Sequence, residues 1–387
     1  MRIVIIYAVL IIQIISLGSC YPKVITETTI AQPQEPLPVK PAAMAKNIIF
    51  LVGDGMGLGQ LSAGTYANGN QSALESFPVI GLHKPYAQNK LVTDSAAAAT
   101  AFACGVKTYN GAIAVDMDKQ PLPTLLEEAE EKGLATGLVA SSSIVHATPA
   151  CYIAHNEYRK NYEEIATDFL NTEVDYFVGG GLKYFQRRES DDRDLTQELI
   201  ANGYTISDYF QADFKSVIPD SRTNFGFFTA DEEPIPVSMG RDYLIVASSK
   251  AFPFLKRRSD KGFFIMIEGS QIDWGGHANN TAYIISEFLE FNEVIKAAMS
   301  YAEADGETLV VVTADHETGG FAIQQESTLD SITGAFTSDY HTGTMIPVFA
   351  YGPGSSLFSG IYENTDIYHK MREVLGWTEP ASSNLQE

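Results

Sequence analysis

Short apolar runs alternate with amphipathic segments along most of this chain, and this alternation limits the folds open to it. Five runs without a charged residue have the length of β-strands: residues 47–52, 134–139, 263–267, 308–312 and 346–351. Such runs are typical of parallel strands covered on both faces. Helical patterns lie between them, at residues 123–132, 158–170, 194–201 and 282–302. The sequence therefore predicts an α/β fold with a doubly wound, mostly parallel central sheet and helices on both faces.

The chain is long enough for one large domain, because its 387 residues are 45% hydrophobic. Thr124 and Glu127 are spaced as a capping box at the start of one predicted helix, and Gly133 can end it. Residues 183–260 show weaker periodicity. We expect residues 46–387 to form a single α/β domain, with residues 183–260 as an insertion packed on the sheet.

The first 20 residues have the pattern of an export signal. Arg2 precedes an apolar run at residues 3–17, which is shorter than the ~20 residues of a membrane-spanning helix. Residues 17–20 resemble a bacterial lipobox, in which the cysteine is lipidated. We expect residues 1–20 to be a lipoprotein-type signal peptide with a lipid anchor on Cys20. An ordinary cleaved signal and an uncleaved anchor are the alternatives.

The residues after this signal are rich in Pro, Thr and Gln, so residues 21–45 are predicted to form a Pro-rich tether. A protein anchored in this way would be periplasmic or lie on the cell surface. The other two cysteines, Cys104 and Cys151, could pair in an exported protein. However, Cys104 lies in an apolar helical run, where an unpaired cysteine behaves as a small hydrophobic residue. We therefore favour two free thiols.

The chain is strongly acidic, with 26 basic against 48 acidic residues and a formal net charge of −22. Sequence-independent binding to nucleic acid requires a basic surface that displaces counterions from phosphates. The composition therefore argues against polymeric nucleic acid as the preferred partner, and it leaves small-molecule ligands open.

Acidic residues and histidines gather near the ends of the predicted strands. Ligands of doubly wound sheets bind outside the carboxyl ends of the strands, and carboxylates together with imidazoles suit Zn²⁺. Taken singly, Gly-Asp-Gly at residues 53–55 is a common turn, and Asp273 could be a helix cap. The recurrence of the pattern favours a metal site. The candidate ligands are Asp54, Glu268, Asp273, His277, Asp315, His316 and His341.

Ser95 is the candidate nucleophile. It begins an alanine-rich segment that is expected to form a helix ending near Gly105. A serine at a helix N-terminus faces backbone N–H groups that bind phosphate and stabilise an alkoxide. No general base adjoins it in the sequence, so a metal ion would have to activate the hydroxyl. The alternative is that Asp94 or Ser95 only caps the helix.

Six motifs, in their order along the chain, together resemble those of alkaline phosphatases. The combination is specific although no single motif is, and it spans the body of the chain. The motifs are Gly-Asp-Gly-Met-Gly at 53–57, Thr-Asp-Ser-Ala-Ala-Ala-Ala-Thr-Ala at 93–101, His-Ala-Thr-Pro-Ala at 146–150, Glu-Gly-Ser-Gln-Ile-Asp-Trp-Gly-Gly-His at 268–277, Thr-Ala-Asp-His-Glu-Thr-Gly-Gly at 313–320 and His-Thr-Gly at 341–343.

This resemblance implies a metal-dependent phosphomonoester hydrolase with two Zn²⁺ and one Mg²⁺ per chain. Ser95 would form a phosphoseryl intermediate, and metal-bound hydroxide would hydrolyse it to inorganic phosphate. Arg159 falls at the position of the family's phosphate-clamping arginine, and a guanidinium can bind two phosphate oxygens. The resemblance implies as ligands Asp273, His277 and His341 for the first zinc, Asp54, Asp315 and His316 for the second zinc, and Asp54, Thr148 and Glu268 for the magnesium.

Two positions depart from the commonest bacterial pattern. His146 and Trp274 stand where many bacterial members carry Asp and Lys beside the magnesium and the phosphate, and the pair resembles that of small, cold-active bacterial members. We expect magnesium to bind less tightly here, or the third site to accept other metals. His83 and His155 belong to no ligand motif and are expected to be ordinary core or surface histidines.

Two other functions fit parts of this pattern. A phosphodiesterase, sulfatase or phosphonate hydrolase would share the metal ligands, but Ser95 together with Thr148 and Glu268 favours the monoesterase. A lipid-anchored receptor for metal or phosphate would have no use for a serine inside the metal cluster. We expect small phosphomonoesters as substrates, and the resemblance implies a homodimer.

Overall fold

The computed structural model describes residues 44–377, and a mixed ten-stranded sheet runs through the centre of this region. Its strand order is β14-β2-β13-β8-β1-β7-β3-β4-β6-β5. Four shorter strands form two small two-stranded sheets. The strands are β1 (Asn47–Gly53), β2 (Val79–Lys84), β3 (Ala135–Ser143), β4 (Tyr176–Gly180), β5 (Tyr204–Asp208), β6 (Asn224–Phe228), β7 (Phe263–Gly269), β8 (Thr308–Thr313), β9 (Glu317–Thr318), β10 (Ala322–Ile323), β11 (Gly334–Ala335), β12 (His341–Thr342), β13 (Ile346–Tyr351) and β14 (Gly360–Glu363).

Helices connect most of the sheet strands. None of those described is long and apolar enough to cross a membrane. The helices are α1 (Leu58–Ala67), α2 (Ser95–Cys104), α3 (Leu125–Glu131), α4 (Ala147–Ala150), α5 (Tyr162–Asp168), α6 (Leu182–Gln186), α7 (Leu195–Ala201), α8 (Leu244–Arg258), α9 (Gln271–His277), α10 (Thr281–Asp305) and α11 (Asp366–Val374).

The sequence of the central strand β1 is continuously apolar because both faces of the strand are buried. Ile48 and Phe50 pack in one hydrophobic cluster, which also holds residues of α2, α3 and α11. Ile49 and Leu51 point to the opposite face and pack in a second cluster with residues of α1, α8 and α10. Because successive side chains of a strand alternate between faces, both faces of the sheet are buried. The predicted doubly wound α/β fold is confirmed.

Most sheet pairings are parallel, as predicted, but one predicted parallel strand is not. β1 runs parallel to both β7 and β8, and β7 runs parallel to β3. The prediction that residues 346–351 form a parallel strand is wrong, because β13 is antiparallel to both of its neighbours, β2 and β8. A strand buried on both faces has a continuous apolar sequence in either direction, so its composition carries no information about direction.

The predicted helices are present with one shift of boundary. Thr124 caps α3 through the expected capping box with Glu127, and Gly133 follows the helix with a φ of 79°. The helix predicted over residues 158–170 is shorter, because α5 begins only at Tyr162. Arg159 therefore lies in the turn before the helix rather than at its start.

Residues 183–260 are built into the edge of the sheet. They contribute β5 and β6, which pair in parallel with each other, and β6 also pairs with β4. Helix α8 from the same stretch packs in the second hydrophobic cluster. The predicted signal peptide, the anchor on Cys20 and nearly all of the predicted tether lie outside the described residues.

Candidate active site

The acidic residues predicted as ligands meet at the carboxyl edge of the sheet. Asp54 directly follows β1, Glu268 is the penultimate residue of β7, and Asp315 comes two residues after β8. Because β7 and β8 are the two neighbours of β1, the ends of these strands adjoin. The Gly55 N–H donates to Asp315 Oδ1 over 3.0 Å, which connects the turn after β1 to the turn after β8.

Side chains of the kinds that bind metals form three groups at this edge. In each group the ligand-type atoms lie within 4.8 Å of one another. We call them the first group (Asp273, His277 and His341), the second group (Asp54, Asp315 and His316) and the third group (Asp54, His146 and Glu268). The first two match the ligand sets that the resemblance implies. The third contains His146 in addition to the two expected carboxylates.

In the first group, two imidazoles bring their Nε2 atoms close together. Asp273 and His277 lie one turn apart on α9, and His341 approaches from β12. His277 Nδ1 donates to the Asp339 carbonyl oxygen (2.7 Å), and His341 Nδ1 donates to the Thr93 carbonyl oxygen (2.8 Å). The Nε2 atoms of the two rings are 3.1 Å apart.

A cation bound between these two nitrogens would be coordinated by both of them, with the Nδ1 donors left on the backbone carbonyls. The Asp273 carboxylate stands beside both, 3.4 Å from His277 Nε2 and 3.6 Å from His341 Nε2. Two imidazole nitrogens and one carboxylate oxygen, with both rings oriented by backbone carbonyls, are a donor set suited to Zn²⁺.

The second group is fully buried and includes the candidate nucleophile among its contacts. His316 Nε2 lies 3.1 Å from Asp315 Oδ2 and 3.5 Å from Asp54 Oδ1. The same nitrogen is 3.3 Å from Ser95 Oγ. A cation bound by this group would therefore be close to the serine hydroxyl.

The third group leaves several buried oxygens without a hydrogen-bond donor. Ser142 and Ser270 both donate to Glu268 Oε2, at 3.3 and 2.7 Å, whereas Glu268 Oε1 has no partner. Both carboxylate oxygens of Asp54 and the hydroxyl of Thr148 are also buried without a partner. Unpaired buried oxygens are costly, and a divalent cation would satisfy all of them. The residues present thus fit a metal here.

The pKa values of these carboxylates reflect the same crowding. Burial, followed by the nearby charges of Asp315 and Asp273, raises the pKa of Asp54 well above its usual value. Burial also raises the pKa of Glu268, to about 7. Carboxylates held this close repel one another when ionised, and divalent cations would relieve that repulsion.

Ser95 is the first residue of α2, and its side chain does not cap the helix. Asp94 is the N-cap and accepts a hydrogen bond from the Ala97 N–H (3.0 Å). Asp94 or Ser95 was the alternative cap of this helix. The cap is Asp94, and Ser95 Oγ faces His316 instead. The helix ends at Gly105, as predicted, and Gly105 adopts the left-handed conformation.

Arg159 enters the same cleft from the turn before α5. Its Nη1 donates to Asp94 Oδ2 (3.1 Å), and its Nη2 lies 3.3 Å from His146 Nε2. The cleft has a volume of about 490 Å³ and is lined by Ser95, Arg159, Trp274 and residues of the first group. The rings of His146 and Trp274 meet edge to face with centroids 6.1 Å apart.

The remaining predicted residues are not members of these groups. His83 is buried beside the Ala314 carbonyl oxygen (2.9 Å), and His155 lies between Glu127 and the Ala114 carbonyl oxygen. Neither belongs to a metal-binding group. Cys104 and Cys151 are both buried free thiols, as favoured from the sequence.

Several residues around the site were not predicted. Ser142 lies within β3 and has no motif that could have identified it. Ser270 and Thr318 stand inside the motifs at residues 268–277 and 313–320. A search of those motifs for hydroxyl groups near the ligands could have found both.

Groups of carboxylates and histidines beside a serine hydroxyl, at the carboxyl edge of a doubly wound sheet, are typical of metal-dependent hydrolases. The family model for alkaline phosphatase matches residues 45–334 and 330–377. The chain belongs to the alkaline phosphatase family, and it is a metal-dependent phosphomonoester hydrolase.

Individual relatives agree with the family match. The chain is 34% identical to alkaline phosphatase 3 of Bacillus subtilis (strain 168), over 85% of this chain and 89% of that protein. The structure of alkaline phosphatase from the Antarctic bacterium TAB5 is similar, with 44% identity, a TM-score of 0.82, and coverage of 87% of this chain and 100% of that one. A variant of the TAB5 enzyme with Mg bound in its M3 site matches with 43% identity, a TM-score of 0.81 and the same coverage.

Proposed function

We propose that Ser95 is the nucleophile of this phosphomonoesterase and that it forms a phosphoseryl intermediate. The supporting observation is the position of its hydroxyl, which is 3.3 Å from His316 Nε2 of the second group and borders the same cleft as the first group. Attack of Ser95 Oγ on phosphorus would form a new P–O bond while the P–O bond to the leaving alcohol breaks, so the serine loses a proton and the alcohol leaves with one. Water would then cleave the phosphoserine and release inorganic phosphate.

The protein's own groups bind and orient the phosphate in this scheme. Arg159 supplies N–H donors at the cleft, and the contact of its Nη1 with Asp94 Oδ2 holds the guanidinium in place. The N-terminus of α2 adds the positive end of a helix dipole at the serine. Phosphoryl transfer depends mainly on such positioning and electrostatic stabilisation.

The first and second groups would each hold one Zn²⁺, and Asp54, Thr148 and Glu268 would hold one Mg²⁺. Bound divalent ions stabilise the attacking and leaving oxygens of an in-line displacement and activate hydroxyl and water nucleophiles. The third group also contains His146, whose Nδ1 is buried without a partner. A nitrogen donor suits Zn²⁺ and other transition metals better than Mg²⁺, which supports a third site that accepts other metals.

The chain would act outside the cytoplasm. The sequence pattern supports a signal peptide at residues 1–20, a lipid anchor on Cys20, a tether at residues 21–45 and a catalytic domain at residues 46–387, as a periplasmic or cell-surface homodimer. Mass spectrometry of the membrane-bound protein should find an acylated Cys20 as its first residue, and Cys20→Ser should release the protein into the soluble fraction. An unmodified or absent Cys20 would exclude the anchor.

Turnover of p-nitrophenyl phosphate by Ser95→Ala tests the nucleophile. Loss of the attacking oxygen should lower kcat by about 10³-fold or more, while metal content stays at that of the unmodified protein. Ser248→Ala is the matched control, because Ser248 is equally buried and donates to the Leu244 carbonyl oxygen on α8. Ser95→Ala with near-normal kcat would contradict the assignment. Faster turnover of the phosphate diester or of the sulfate ester by the unmodified protein would contradict the monoesterase.

A further inference from the structure

The hydroxyl of Thr318 contacts two metal-binding groups at once. It donates a hydrogen bond to Asp273 Oδ1 of the first group, and it lies 3.2 Å from His316 Nδ1 of the second. Thr318 is completely buried. The mechanism proposed above assigns no role to this residue.

The hydrogen-bonding capacity of these atoms determines which of them carries each proton. A hydroxyl has one proton, and an ionised carboxylate only accepts, so the proton of Thr318 belongs to the bond with Asp273. The hydroxyl oxygen must then accept from His316, which requires a proton on His316 Nδ1. This tautomer leaves the Nε2 lone pair free, and Nε2 is the atom that faces Asp54, Asp315 and Ser95.

The surrounding backbone keeps Thr318 in this position. Thr318 lies on β9 and pairs with His341 of β12, so its main chain adjoins another residue of the first group. A Cβ added to Gly55 would lie 2.8 Å from Thr318 Oγ1, and one added to Gly276 would lie 2.8 Å from Thr318 Cβ. Both glycines thus permit the close approach of the threonine to the turn after β1 and to α9.

We propose that Thr318 is a positioning residue that couples the two predicted zinc sites. Its hydroxyl orients Asp273 in the first group and holds the imidazole of His316 in the second, so neither site keeps its geometry when the hydroxyl is lost. The inference rests on the proposed function only in that these two groups hold zinc. Contacts of this kind behind metal ligands typically change metal affinity by about 10–100-fold.

The experiment compares the zinc-loaded protein with Thr318→Val, which has nearly the same shape but no hydroxyl, and with Thr318→Ser, which keeps the hydroxyl. Zinc retention is measured against increasing chelator concentration, and the visible absorption of the cobalt-substituted proteins reports the coordination geometry. In Thr318→Val, both zinc ions should be lost at chelator concentrations about 10-fold lower or more, and the cobalt bands should shift. Thr318→Ser should restore both properties.

Thr308→Val is the matched control. The Thr308 hydroxyl is also completely buried, donates to Asp305 Oδ2 (2.6 Å) and accepts from Asn47 Nδ2 (3.0 Å), but it lies at the opposite end of β8. The Thr308 hydroxyl donates to a carboxylate and accepts one hydrogen bond, like the Thr318 hydroxyl. Loss of the Thr308 hydroxyl should lower the thermal stability without changing zinc retention or the cobalt spectrum. Equal zinc loss in Thr308→Val and Thr318→Val would reduce Thr318 to a general stabilising contact and overturn the proposal.

Three further results would also decide the matter. Loss of only one zinc ion in Thr318→Val, or none, would overturn the coupling while leaving the proposed function intact. If instead the unmodified protein held no zinc in these groups, the proposed function itself would fail. If Thr318→Val does not fold, the proposal is tested by nitrogen-15 spectra of the histidine rings in the unmodified zinc-loaded protein. The proposal requires a proton on His316 Nδ1, so an unprotonated Nδ1 would overturn it.

Discussion

Asp54 belongs to two of the three metal-binding groups, and its surroundings explain why. Its carboxylate is completely buried, and neither oxygen has a hydrogen-bond donor. An ionised carboxylate in such a position is costly unless positive charge compensates it. Cations in the second and third groups would each contact Asp54, so this residue would join the site next to Ser95 to the third site.

Replacing Asp54 by Asn should therefore release two metal ions rather than one. Glu268→Gln is the comparison variant, because Glu268 belongs to the third group alone and its loss should release a single ion. Metal analysis of the purified variants provides the count, and Asp54→Asn should also lower kcat by more than about 100-fold. Loss of the same single ion from both variants would show that Asp54 does not bridge two sites.

His146 adds an imidazole nitrogen to the carboxylate oxygens of the third group, and this nitrogen should affect which metal the group prefers. Exchange of its imidazole for a carboxylate, as in His146→Asp, adds the kind of oxygen that Mg²⁺ prefers. The Mg²⁺ concentration that half-activates the metal-stripped protein should then fall by about 10-fold or more. Sub-micromolar Mg²⁺ affinity in the unmodified protein, with no response to other divalent ions, would contradict the expectation.

Among the elements, the small two-stranded sheet of β9 and β12 lies directly at the site, because β12 carries His341 of the first group. Glu317 of β9 is buried and accepts hydrogen bonds from Gln60 Nε2 (2.7 Å) on α1 and from the Phe321 N–H (3.0 Å). It also accepts from the Thr342 hydroxyl on β12. One carboxylate thus connects three segments, and it stands next to His316 in sequence. Two-residue strands are too short to hold ligands in place by pairing alone, so these side-chain contacts are needed.

The contact between α3 and β3 gives a pH dependence of stability. Burial raises the pKa of Glu130 on α3 to about 8, while the hydroxyl of Thr136 on β3 donates to its carboxylate. The unfolded chain releases this proton near pH 4.5 and the folded protein near pH 8, so the free energy of unfolding should fall as pH rises through this range.

Glu130→Gln should remove that part of the pH dependence, because its amide does not ionise. Chemical unfolding of the metal-loaded protein and the variant, compared at about pH 5 and about pH 8, measures the difference. An equal change with pH in both proteins would place the titration elsewhere.

At the scale of the whole molecule, the net charge of −22 and the phosphate chemistry belong to different regions. Four of the acidic residues stand at the metal-binding groups, where three divalent ions would add about six positive charges. The rest of the acidic surface should repel anions at long range. The local field at the cleft and the long-range field of the protein therefore have opposite effects on a phosphate ester.

This opposition predicts an unusual salt response. Raising the salt concentration from about 10 to about 150 mM shortens the screening length to about 8 Å, which weakens the long-range repulsion more than the contacts within the cleft. The kcat/KM for a dianionic phosphate ester should therefore increase over this range. A decrease for the dianion would indicate that attraction dominates the approach.

The sequence predicted the fold class, and it singled out the acidic residues and histidines that the structure brings together at one edge of the sheet. Continuous apolar runs mark strands buried on both faces, and β1, β3, β7 and β8 are all found where such runs occur. The continuous apolar run did not predict the direction of β13, because a strand buried on both faces has the same composition whether it pairs in parallel or antiparallel. The sequence also misplaced Arg159, since the turn before α5 has a helix-like pattern.

By itself, the sequence determined that this chain is an α/β protein with carboxylates and histidines near its strand ends and a serine at the start of a helix. Only the tertiary structure decided how these residues are shared among three groups, that Asp54 lies in two of them, and that Thr318 touches both candidate zinc sites. Periodicity and motifs are local properties of the chain. Contacts between residues hundreds of positions apart depend on which strands become neighbours in the sheet, and local patterns do not encode that.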